Sequence, residues 1–362
     1  MEIFHLQKLN SLPSFSLVVY LIRKSSALLF LIFLLSSCQK DLAEPQTIDP
    51  LNNPIRPAHF PPACYNYENN AYSKKGFELG RKLFFDPILS VDNSISCGSC
   101  HHQKDAFADG GRKLSIGVFG QTADRNSLAI INMAWNTSFM WDGGINHLEV
   151  QPFSPIINPK EMGEDLNNVI TKLRSHSEYP ALFQNVFTET PLDDQQLFFA
   201  LAQYMGNLVS ANSRYDKYIK GEISFSQDEI IGLNVFRANC AGCHEEPLFT
   251  DYSFQNNGLD TLFLDKGRYR ITQDSNDLGK FKTPTLRNIM LTAPYMHDGR
   301  FENIQDVINH YSAGIKYSNT LSSLLQNHVG GIQMSNSEKQ ALIDFLHTLT
   351  DYEFISNADL SE

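Results

Sequence analysis

Two copies of one short pattern constrain this chain more than any other feature. Cys97-Gly-Ser-Cys100-His101 and Cys240-Ala-Gly-Cys243-His244 both read C-x-x-C-H. With six cysteines and eleven histidines in 362 residues, one accidental match is expected on the order of 0.003 times per chain. The spacing is that of c-type haem attachment. Two thiols form thioethers to the porphyrin edge, and the adjacent His supplies the proximal nitrogen to iron. A zinc site would want a second cysteine pair nearby, and a thioredoxin-type pair would want a βαβ context. The sequence offers neither. It therefore predicts two covalent haems, one on Cys97, Cys100 and His101, the other on Cys240, Cys243 and His244. Cys64 has no partner motif.

The flanks read as helices. Ser226 and Glu229 form a capping box, and Ile230, Leu233 and Phe236 follow at helical spacing up to Cys240. Ser335 and Glu338 cap a second helix with Leu342, Phe345, Leu346 and Leu349 on one face. Phe77, Gly80, Leu83 and Phe84 suggest the matching helix ahead of Cys97, and 165–174 and 194–210 are amphipathic. No convincing run of strands is present. The predicted fold is mainly α: two cytochrome c-like haem domains of the class I type joined by long irregular connections. Their expected bounds are 67–218 and 219–355. A chain 42% hydrophobic and 19% charged is neither disordered, collagen-like nor a polytopic membrane protein. Forty acidic against 29 basic residues, a net charge of −11, argues against nucleic acid as a partner.

Residues 1–37 read as an address. Arg23 and Lys24 precede the apolar run 25–35, which is too short to span a bilayer. The run ends in Leu35-Ser36-Ser37-Cys38, which resembles a bacterial lipobox. On that reading Cys38 is the lipidated first residue of the mature chain. A secretory signal cleaved near Ser37 and an uncleaved anchor are the alternatives. Loss of Lys8, Arg23 and Lys24 against Glu2 takes the net charge from −11 to −13. Residues 38–66, with their Pro, Asp and Asn, are expected to be a flexible tether. The expected location is the periplasm or outer membrane, lipid-anchored.

Trp141-Asp-Gly-Gly144, Gln151, Pro155 and Glu161-Met162 lie between the haem motifs. Lys282-Thr-Pro-Thr-Leu-Arg-Asn288 and Leu291-Thr-Ala-Pro-Tyr-Met-His297 follow the second. In this order they resemble the bacterial dihaem cytochrome c peroxidase family, which includes the MauG-type enzymes. The resemblance implies a peroxidatic N-terminal haem and an electron-transfer C-terminal haem. Glu161 would be the distal acid/base, Gln151 would orient peroxide, and Pro155 would shape the distal wall. Trp141 would relay between the haems. It also implies a calcium ion on Asn126 and the carbonyls of Thr292 and Pro294. Trp135 fits no motif and reads as core.

Two departures matter. Many members carry a gating distal His where this chain has Val118, in Leu114-Ser-Ile-Gly-Val118. His102 and His147 are poor substitutes, so an open N-terminal iron is expected. Ordinary members place a Met where this chain has Tyr311, and MauG-type enzymes a Tyr, so Tyr311 is the expected sixth ligand of the C-terminal haem. Met296, Met334 and His310 are its rivals, and His297 is read as an outer partner of that haem. The implied activity is reduction of hydrogen peroxide with electrons from a small cytochrome c or cupredoxin. The alternatives are peroxide-dependent modification of a protein substrate and a non-catalytic electron carrier. A homodimer is kept open as a further partnership.

Overall fold

The computed structural model describes residues 53–188 and 190–362. The expected signal segment, Cys38 and the first part of the expected tether lie outside the described residues. Eleven α-helices are present among the described residues: α1 Lys74–Phe85, α2 Phe153–Ile157, α3 Leu166–Ser175, α4 Tyr179–Val186, α5 Asp194–Met205, α6 Arg214–Ile219, α7 Gln227–Asn239, α8 Tyr269–Thr272, α9 Ile304–Ala313, α10 Asn336–His347 and α11 Tyr352–Ser356. None among the described residues is long and apolar enough to cross a membrane. One antiparallel pair of two-residue strands, β1 Phe254–Gln255 and β2 Phe281–Lys282, is the small exception to an otherwise strandless reading.

The same packing motif occurs twice. In each half, the helix entering C-x-x-C-H crosses a later helix through a glycine. Gly80 of α1 lies against the Ala200 carbonyl of α5, and Gly232 of α7 lies against the Ala341 carbonyl of α10. Four residues on from each, the same face carries an aromatic ring. Phe84 meets Tyr204 at 5.1 Å between ring centroids, and Phe236 meets Phe345 at 5.1 Å. A third ring closes each group: Phe107 lies 6.1 Å from Phe84, and Phe249 lies 5.4 Å from Phe236. The helices begin where their caps dictate. Ser226 and Glu229, and Ser335 and Glu338, form reciprocal capping boxes. Each glycine crossing thereby builds one cytochrome c-like core, the first on α1, α3, α4 and α5, the second on α7 and α10.

Three expectations need correction. The second part of the tether, 53–66, is packed: Phe60 is buried against Trp135, whose Nε1 donates to the Pro61 carbonyl at 2.7 Å. His59 also reaches Asp216 at 2.9 Å. These partners lie far along the chain, so composition could not reveal them. The helix expected over 194–210 ends at Met205, because Asn132 donates its N–H to the Leu208 carbonyl and takes the Ser210 N–H on its side chain. The cores also ignore the expected bounds. Tyr215 of α6 lies in the second core, while Phe354 and Leu360 return to the first. Gln103 Nε2 holds that return through the carbonyls of Phe354 (3.0 Å) and Asn357 (2.8 Å).

Candidate active site

Both motif histidines are held the same way. His101 Nδ1 donates to the Phe107 carbonyl at 2.7 Å, and His244 Nδ1 donates to the Phe249 carbonyl at 3.1 Å. Both acceptor residues adopt left-handed backbone, φ 58° and 56°, which turns the chain back toward the imidazole. With Nδ1 occupied, Nε2 of His101 is left for iron and the ring orientation is set, while His244 has a further backbone partner at Pro284. Burial lowers the pKa of both imidazoles, favouring the neutral form that ligates metal.

The cysteines fit haem and not thiolate chemistry. Burial pushes the Cys97 and Cys240 thiols up to about 12, and those of Cys100 and Cys243 to about 11. A reactive or zinc-bound thiolate needs the opposite shift, whereas a thioether is neutral. No group of three His, Cys, Asp or Glu suited to a metal occurs among the described residues. Both motifs open into one largely apolar cavity of about 1040 Å³, slightly above the ~300–1,000 Å³ usual for one ligand. Lys282 lines it, 5% exposed, its ammonium bonded to the Ser138 carbonyl at 2.8 Å. Burial lowers its pKa to about 8. A buried ammonium with one carbonyl partner suits a haem propionate.

Gln151, Pro155 and Glu161 line the same cavity as His101. Burial raises the Glu161 pKa, and a 2.7 Å bond from Asn158 Nδ2 to Oε1 partly offsets it. Asn158 also anchors the turn, its carbonyl accepting the N–H of Glu161 and of Gly163. Trp141 lines the cavity too. Its indole N–H donates to the Asn126 carbonyl at 2.8 Å, and its ring meets Phe281 edge-on at 6.4 Å. Phe281 in turn stacks on His297 at 3.8 Å. His297 therefore belongs to the Trp141 side, and its carbonyl accepts the Asn126 N–H. Asn126, Thr292 and Pro294 all line the cavity. The Asn126 amide donates to the Lys113 carbonyl at 3.2 Å, which turns its side-chain oxygen the other way. Trp135 is buried core.

Of the sixth-ligand candidates, Tyr311, Met296 and Met334 line the cavity; His310 does not. His310 is buried, with Nε2 bonded to the Asn257 carbonyl at 3.1 Å. Asn257 reaches Met296 Sδ at 3.4 Å and also the Tyr311 hydroxyl. Burial pushes that phenol up to about 12, so its phenolate needs a cation beside it. Val118, His102 and His147 do not line the cavity. Asn158, Asn257 and the two acceptor carbonyls carry no motif signal, and the motif that Lys282 opens does not mark its lysine as a cavity group. Only the N-P-K-E spacing, with Asn158 three residues before Glu161, hints at the first.

The repeated crossing and the shared cavity define a dihaem c-type protein. A model of the di-haem cytochrome c peroxidase family matches residues 74–224. The chain is 34% identical to the methylamine utilization protein MauG of Methylorubrum extorquens over 285 residues, covering 77% of this chain and 79% of that one. It is 33% identical to the cytochrome c551 peroxidase of Nitrosomonas europaea over 279 residues, covering 75% and 79%. A solved MauG-like protein associated with microbial copper homeostasis superposes with a TM-score of 0.79 at 32% identity, covering 85% of this chain and 98% of that one. The chain belongs to the di-haem cytochrome c peroxidase family.

Proposed function

We propose that this protein reduces hydrogen peroxide to water, using two electrons from an external donor that pass through the C-terminal haem. The observation that carries the reading is Glu161, a half-buried carboxyl of raised pKa in the cavity wall shared with His101. His101 and His244 would hold the two irons, with Cys97, Cys100, Cys240 and Cys243 bonded to the porphyrin edges. The haem on His101 supplies an iron that binds peroxide and accepts its oxidising equivalents. Splitting the O–O bond requires moving a proton from the near peroxide oxygen to the leaving one. Glu161 takes and returns that proton. Asn158 engages Oε1, which leaves Oε2 for the exchange. Gln151 orients the peroxide by hydrogen bonding, and Pro155 keeps the wall rigid. Trp141, in the wall of the cavity that both motifs share, relays charge.

Tyr311 would be the sixth ligand of the C-terminal haem, a hard oxygen donor in place of a thioether; its place in the cavity wall, which Met296 and Met334 share and His310 does not, supports the reading. With Val118 in place of a ligating side chain, this segment would leave the N-terminal iron open to peroxide. Both features favour a MauG-like behaviour, with a protein substrate as the second reading of the donor. Calcium on Asn126, Thr292 and Pro294 would brace Trp141, which already bonds the Asn126 carbonyl. Chelation that leaves the Trp141 fluorescence unchanged would exclude it. The lipobox-like Cys38 supports a lipid anchor on the periplasmic or outer-membrane face. Labelling with a fatty-acid analogue tests it, and an unlabelled chain defeats it.

The test of the reading is Glu161→Gln. The variant should keep both haems but lose peroxide turnover by about 10²–10⁴-fold. Near-normal turnover would exclude Glu161 as the proton carrier.

A further inference from the structure

The backbone of Glu161 is clasped by a loop that contributes no side chain to the proton transfer. Gly117 lies so close to it that a β-carbon there would overlap the carbonyl oxygens of Lys160 and Glu161 and stand 2.6 Å from Glu161 Cα. The Val118 N–H donates to the Glu161 carbonyl at 2.8 Å. From the other side, the Val91 N–H donates to the Met162 carbonyl at 3.0 Å. Two loops distant in sequence therefore hold two consecutive carbonyls. The clasp is itself braced. Gly117 and Gln121 exchange with Val118 across a tight turn, with Gly117 N–H to Gln121 carbonyl at 2.8 Å and Gln121 N–H to Val118 carbonyl at 3.1 Å. Ser115 Oγ and Ser127 Oγ meet at 2.7 Å behind it. The Val118 side chain is fully buried over Gly163. Gly117 has φ −96°, which any residue can adopt. Its small size, and not its backbone freedom, is what the site uses.

We infer that Gly117 and Val118 are positioning residues for Glu161, setting the depth at which its carboxyl enters the cavity. The clasp is made of backbone groups and a close glycine contact, so it is expected to stay closed in both the oxidised and the half-reduced protein. This rests on the reading of Glu161 as the proton carrier. A proton carrier must lie within hydrogen-bond reach of both peroxide oxygens, and a displacement of about 1 Å costs about 10²-fold.

Gly117→Ala in the haem-loaded protein tests the clasp. It should keep both haems and lower kcat/KM for peroxide by about 10–100-fold. The loss should vanish in the Glu161→Gln background, because a group that acts only through Glu161 has nothing left to position. A merely structural role would lower both backgrounds alike. Hydrogen exchange gives a readout free of activity. The wild-type Val118 amide should be protected equally in the oxidised and half-reduced protein, and should exchange faster in Gly117→Ala. Turnover of Gly117→Ala within two-fold of wild type, multiplying losses in the double variant, or a Val118 amide that opens on half-reduction would each overturn the clasp. Retained turnover in Glu161→Gln alone would instead defeat the proton-carrier reading; the exchange measurement still decides whether the loop holds.

Discussion

Gly232→Ala should loosen the C-terminal haem while leaving the N-terminal one intact. A β-carbon at Gly232 would overlap the Ala341 carbonyl oxygen and lie 2.6 Å from its carbon and 2.8 Å from Phe345 Cβ. Ordinary contact begins at 3.4 Å, so the Ala341 carbonyl carbon alone demands a shift of 0.8 Å and its oxygen, nearer still, a larger one. No rotamer can absorb this, because the neighbours are backbone and a Cβ. Overpacking of this kind costs about 1–3 kcal/mol, occasionally more. Alanine's helix propensity returns up to about 1 kcal/mol, so a net loss of about 2 kcal/mol is expected. The damage passes along a short path. Phe236 and Phe345 pack on Phe249, and the Phe249 carbonyl orients His244. The assay is thermal unfolding of the haem-loaded protein followed at each haem's own absorption bands. A domain of 150–250 residues moves its Tm by roughly 2–4 °C per kcal/mol; the midpoint read at the C-terminal haem should drop by several degrees. Gly80→Ala should do the reverse, through Ala200 and Tyr204. A Gly232→Ala protein as stable as wild type, or one that loses both haems together, would refute the picture of two separate glycine crossings.

Asn158→Leu removes the hydrogen bond that partly offsets the burial of Glu161, so the carboxyl pKa should rise further. The carboxylate is the form that accepts the proton, so the acid limb of the kcat/KM profile should move to higher pH; an unmoved limb would show that Asn158 does not touch the ionisation. Arg287→Met should destabilise the protein by about 3–5 kcal/mol, because it removes the guanidinium that holds the fully buried Asp216 bidentately at 2.7 and 2.9 Å and leaves that carboxylate only His59 and Ser213. Burial pushes the Asp216 pKa up, but Arg287 and His59 hold it well below the carboxylate range. Its stabilisation is therefore present above the unfolded value near ~4 and is lost as pH falls further. Arg287→Met should weaken that acid dependence in denaturant titrations, and an unchanged slope would remove the pair as its source. Tyr311→Met should raise the midpoint potential of the C-terminal haem in a spectroelectrochemical titration, since a thioether favours ferrous iron more than a phenolate does; an unchanged potential would remove Tyr311 as ligand.

The two c-type haems of the family can be anticipated from the chain alone because covalent chemistry imposes local spacing. Two thioethers and one proximal nitrogen must come from five consecutive residues, whatever surrounds them. The capped helices were legible for a similar reason, since Ser226, Glu229, Ser335 and Glu338 act within one turn. Tertiary structure decided what depends on distant partners. The packed course of residues 53–66 rests on Trp135 and Asp216, and the early end of α5 rests on Asn132. The return of Phe354 and Leu360 to the first core depends on Gln103 and on Tyr204, which bonds the Leu360 carbonyl at 2.6 Å. The choice between His310 and Tyr311 shows the difference most plainly. The two are neighbours on α9, but successive helix residues point about 100° apart. One turns to the Asn257 carbonyl and the other lines the cavity. Adjacency in sequence could not separate them. Only the rotation of α9, fixed by its packing in the fold, decides which side chain meets the cavity.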